Sequence, residues 1–213
     1  MKQPLPKSIW LLTPFFGCCL FILLYIIAAF FYPGGSNMDT TAKGFSIQHN
    51  YWCELLSSVA KNGEYNPGSR VAVWAMGVLC VALAVFWWLL PRLFKPNRWY
   101  RIFISFAGIT SMVIAPFMST RYHDLVLNLA SIPGIIALIV TFIALYKYRW
   151  HKLLVMGACC LLLVGVNNYI YYTGHWLHTL PVVQKCTFLF VITWMCIITW
   201  VIYYKEHAPN LKE

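Results

Sequence analysis

Six apolar runs, Ile9–Tyr32, Val71–Leu90, Ile102–Met118, Leu125–Tyr146, Leu153–Tyr172 and Val182–Tyr204, alternate with polar connections along the chain. An α-helix of about 20 residues crosses the roughly 30 Å hydrocarbon core of a bilayer. Each run fits that role, the third with least to spare. The breakers fall between the runs, at Pro33-Gly34-Gly35, Asn66-Pro67-Gly68, Pro91, Pro96-Asn97, Gly174 and Pro181. The pattern predicts an all-α fold, a polytopic membrane bundle of six transmembrane helices forming a single integral membrane domain over 1–213. The first run is longer than a signal-peptide core and has no small-x-small cleavage site before Pro33, so it reads as a retained helix.

The longest connection is the loop 33–70. Within it Ile47, Tyr51, Leu55 and Val59 recur every four residues, with Ser46 as a candidate N-cap and Asn62-Gly63 as a stop. This spacing predicts a short amphipathic helix lying on the membrane surface or covering the outer ends of the bundle. A connection of this length usually has structure or function of its own.

Composition narrows the class. The chain is 61% hydrophobic and only 10% charged, against roughly 25% charged in soluble domains, which is too little charge to build a water-soluble surface. The net charge of +10 raises the question of nucleic acid. Its distribution answers differently. Lys2, Lys7, Arg92, Lys95, Arg98, Arg101, Lys147, Arg149, Lys152, Lys205 and Lys212 all fall at the termini or in alternate connections, eleven of the sixteen basic residues. Lys43, Lys61, Arg70, Arg121 and Lys185 lie on the other side. The positive-inside rule then places both termini in the cytoplasm and the loop 33–70 outside. With no basic stripe or RNA-binding motif, we read no nucleic-acid partner, and membrane lipids as the expected partners. Trp99, Trp150 and Trp176 near the run ends read as interfacial anchors. Most cysteines lie inside apolar runs and read as packing residues. Cys53 and Cys186 lie nearer the outer side, where a disulfide between them is one option.

The outer connections gather the candidate chemistry: His49, Asn50, Glu54, Arg70, Arg121, His123, Asp124, His175 and His178. Asn128, Asn168 and Lys185 extend this polar set into the outer halves of three runs, and Gln184 adjoins Lys185. Polar groups inside a membrane are costly unless paired or hydrated, so they tend to face the bundle interior. One reading is a polar-lined pocket, open to the outer leaflet, that binds, senses or moves a lipid or small amphiphile. A second is a metal-dependent hydrolase. There His123, His175 and His178 would hold zinc, and Glu54 or Asp124 would act as the catalytic acid–base group. Neither HExxH nor a comparable signature accompanies the histidines. A third reading is a structural or assembly subunit, with the polar groups as interhelical hydrogen-bond partners.

The stretch His49-Asn50-Tyr51-Trp52-Cys53-Glu54-Leu55, followed by Asn62-Gly63 and Asn66-Pro67-Gly68, resembles the bacterial uncharacterised six-helix membrane family of the DUF998 type. Tyr122-His123-Asp124-Leu125, with Asn128 and Ala130-Ser131 following, is similar too. That family is distantly like the DRAM/Frag/Sfk group. The resemblance implies a six-helix bundle with a long first outer loop in a bacterial inner membrane, and implies no activity. The metal-dependent membrane hydrolases of the alkaline ceramidase and adiponectin-receptor type also pair histidines with an aspartate. They have seven core helices and ligands toward the cytoplasm, and this chain departs from both.

Overall fold

The computed structural model describes residues 8–95, 97–119 and 122–207, with the backbone alone at 118, 119, 123, 124 and 207. Among these residues six helices are long and apolar enough to cross a membrane: α1 (Ile9–Phe30), α2 (Gly68–Leu93), α3 (Arg98–Phe117), α4 (Leu125–Lys147), α5 (His151–Thr173) and α6 (Leu177–Glu206). Large apolar side chains cover their exposed faces. On α4, Ile132, Ile135, Ile136, Ile139 and Ile143 are exposed, while Ala130, Ala137, Thr141, Ala144 and Leu145 are buried. An apolar stripe of this size on the outside, with small residues inside, suits a helix surrounded by lipid.

The chain forms two compact units. The first comprises Met1–Cys18, Leu79–Leu154 and Met195–Glu213. Here α3 is irregular: a short α-turn leads into a π-helical segment over Arg101–Phe106, then regular α-helix over Ala107–Ile114. Its polar and small residues make the contacts. Ser105 Oγ donates to Trp87 O at 3.1 Å and Ser111 Oγ donates to Ala130 O at 2.7 Å. Gly108 lies directly against the Trp87 ring, where a Cβ would overlap ring atoms. Basic residues at this unit's helix ends find aromatic and backbone partners. Arg92 lies over the rings of Trp10 and Trp88 at 5.1 and 5.6 Å, and Lys205 Nζ donates to Leu93 O.

The second unit comprises Cys19–Val78 and Val155–Trp194, and so contains the long loop. The loop is not the amphipathic helix that its four-residue repeat predicts. Ser46 does cap, but only a single turn: its hydroxyl accepts from His49 N and its carbonyl from Asn50 N. The one helical element is a 3-10 helix over Trp52–Leu56. Leu55 is buried, whereas Ile47 and Val59 are exposed, so the repeat does not form one face. Instead, isolated antiparallel bridges pair Gly34 with Lys43 and Val59 with Tyr65. Gly35, at φ +81°, sits so close to Lys61 and Asn62 that any Cβ would meet their backbone. Tyr32 Oη accepts from Lys61 N at 3.1 Å, and Asn66 Nδ2 donates to Leu55 O and Ser57 O. Long-range hydrogen bonds thus take the backbone groups that a helix would have used.

Candidate functional site

Two helical stripes in the second unit face a common space. On α1 the stripe is Ile22, Tyr25, Ile26, Ala29 and Phe30. On α6 it is Val182, Lys185, Cys186 and Leu189. Both follow the i, i+3, i+4, i+7 spacing of one helix face. Phe45 and Ile47 of the loop, with Trp52 and Leu55 of the 3-10 helix, complete the walls of a cavity of about 490 Å³. Lys185 is the one charged residue in this lining. The rim is apolar, with Phe30 at 84% and Ile47 at 71% exposure.

Aromatic contacts build one wall. The Trp52 ring lies 5.6 Å from Tyr25, 5.0 Å from Phe188 and 6.2 Å from Phe21. Phe21 in turn contacts Tyr25 at 4.4 Å and Phe188 at 5.5 Å. The backbone N–H of Trp52 donates to Gln184 Oε1 at 3.1 Å, which ties the 3-10 helix to α6.

Lys185 is buried, 7% exposed, within a helix long enough to span the bilayer. Its ammonium donates to Asn50 O at 2.5 Å and Pro181 O at 2.9 Å, with the Phe45 ring 5.6 Å away. Asn50 is itself fully used. Its Oδ1 accepts from Ser46 N at 2.8 Å, while its Nδ2 donates to Gly35 O at 2.7 Å and to Glu54 Oε2 at 2.6 Å. Glu54 Oε1 accepts no hydrogen bond and has the Lys61 ammonium 3.8 Å away. Burial pushes the Glu54 carboxyl above its ordinary range, against the opposing pull of Asn50 and Lys61. Burial likewise pushes the Cys53 thiol up, with the nearby Glu54 adding to it.

Of the candidate site residues read from the sequence, Asn50, Glu54 and Lys185 come together in one hydrogen-bonded and charged group. His49, Arg70, Asn168, His175 and His178 are exposed. Asn128 is also exposed and belongs to the first unit, where Ser131 Oγ donates to its carbonyl. Arg121 and the side chains of His123 and Asp124 lie outside the described residues. Among the described residues no three His, Cys, Asp or Glu side chains could hold a metal ion in common. Cys53 and Cys186 are both free thiols. The apolar lining, Tyr25, Phe45 and Trp52 above all, escaped the sequence reading. Its trace in the sequence is the stripe spacing on either side of Lys185.

Fold and composition together define a multi-pass membrane protein. No family model matches the chain, and no solved structure matches it. It is 34% identical over 113 residues to an uncharacterised protein of Acanthamoeba polyphaga mimivirus, a match covering 53% of this chain and 67% of the viral one. At that identity and coverage the chain belongs to one family with the viral protein.

Proposed function

We propose that the protein binds a lipid or other small amphiphile in the cleft of its second unit, tail against α1 and α6, polar end at Lys185. The observation that carries this reading is the chemistry of the walls: about 490 Å³ bounded by aliphatic and aromatic side chains, with a single charged residue among them. Ligand sites of about 300–1,000 Å³, mostly apolar with a few placed polar groups, have this character. The exposed rim residues Ile26, Phe30, Val182 and Leu189 belong to spanning helices, so a tail can enter sideways from the bilayer. The basic-residue distribution supports an orientation in which this cleft opens to the outer leaflet and both termini are cytoplasmic. The resemblance to the bacterial six-helix family supports membership of that family and a bacterial inner membrane.

Photo-crosslinking tests this reading. A long-chain amphiphile carrying a diazirine in its tail should label peptides containing Ile22–Phe30 and Val182–Leu189 in preference to the exposed isoleucines of α4. Labelling spread evenly over all lipid-facing helices would refute a dedicated site.

A further inference from the structure

We infer that the amphiphile held in this cleft is anionic, a single-chain carboxylate whose head is taken by the Lys185 ammonium. This rests on the amphiphile reading above and specifies the ligand it requires.

The tail cannot supply selectivity. A hydrocarbon chain leaving the bilayer for an apolar cleft exchanges one apolar surrounding for another and gains little from the hydrophobic effect. What distinguishes ligands is the polar end, and there the cleft offers one charged group. Lys185 is buried within α6 with two neutral carbonyls as acceptors. An ammonium has three N–H donors, so one remains. Carbonyls satisfy hydrogen bonds but leave the charge in place. Among the described residues no carboxylate lies within 4.0 Å of Lys185, and the nearby Glu54 faces Lys61 instead. Lys185 therefore keeps its positive charge at an apolar site, while the carboxylate nearest to it sits beside the solvent-exposed Lys61. An ionisable group at membrane depth is costly unless paired.

An anionic head answers both needs, taking the remaining N–H and cancelling the charge. Charge-assisted hydrogen bonds are roughly twice as strong as neutral ones. An alcohol or ester could take the hydrogen bond but would leave the charge. A zwitterionic headgroup would bring a second cation to the same place. The cavity of about 490 Å³ also suits one tail and a compact head better than a two-chain phospholipid.

The test uses the full chain in nanodiscs of zwitterionic lipid, with palmitate and methyl palmitate as probes and native mass spectrometry as the readout. The two probes share a tail and differ in head charge. We expect palmitate to bind one per chain about tenfold or more tighter than the ester, the size of one charged hydrogen bond. In Lys185→Met that preference should disappear. Equal binding of the two probes to the wild-type chain overturns the anionic inference and leaves the amphiphile reading standing. Binding of neither probe overturns both. A preference that survives in Lys185→Met removes Lys185 as the head site. The wild-type comparison stands whether or not the variant folds.

Discussion

Glu54 is held by Asn50 through one oxygen and has only the more distant Lys61 beside the other, and this sets a pH dependence. Its pKa is raised above the ordinary 4.5 chiefly by burial. The folded state then binds more protons than the unfolded state between those two values, so stability falls as pH rises through that window. The contribution of the protonated carboxyl is fully present below about 4.5 and is lost as pH climbs through the raised folded value. Glu54→Gln carries no such titration. Thermal unfolding of the two proteins from pH 4 to 8 should therefore show the wild-type chain losing Tm, relative to the variant, toward neutral pH. Parallel curves would contradict the burial of that carboxyl. Lys185 was legible in the sequence because a charge inside an apolar run is conspicuous, and Asn50 and Glu54 because the long outer connection gathers polar candidates. Tyr25, Phe45 and Trp52 were not, since in a chain this apolar nothing distinguishes an aromatic facing a cleft from one facing lipid.

All six helices were legible as elements, because a run long enough to cross a bilayer leaves few alternatives. Their irregularities were not. The π-helical segment over Arg101–Phe106, which meets Trp87 through Ser105, is marked by no local signal in the sequence. The close approach at Gly108 gives a prediction for this element. Gly108→Ala puts a methyl into the buried Trp87 ring and should cost about 1–3 kcal/mol, as overpacking does, read as a lowered unfolding temperature. Gly165→Ala, inside α5 where a Cβ meets nothing within 4 Å, is the control and should hold or raise stability, by up to about 1 kcal/mol. The loop shows the opposite failure of local reasoning. The four-residue repeat from Ile47 to Val59 is genuine as a pattern. Gly35, Asn66 and the Val59–Tyr65 bridge nevertheless hold that stretch from elsewhere in the loop, and Gln184 and Lys185 hold it from α6.

At the scale of the molecule, the sequence pattern separates basic connections from those that carry the histidines and the long loop. If the basic side is cytoplasmic, a fluorescent protein fused after Glu213 should fluoresce in cells, and alkaline phosphatase at the same point should be inactive. The reverse pair of results would invert the orientation. The histidine-bearing connections had pointed to the outer face as the place for function. The amphiphile proposal puts it at Lys185 and its apolar surroundings, while His175 and His178 are exposed and belong to no metal-binding group among the described residues. The central claim is that one tail occupies the space between the α1 and α6 stripes. Ala29→Phe adds apolar bulk to that space while leaving Lys185 and the loop hydrogen bonds untouched. Native mass spectrometry of the purified chain should show one retained amphiphile on the wild-type protein and none on Ala29→Phe at unchanged fold. No adduct on the wild-type chain, or the same adduct on both, would contradict the account.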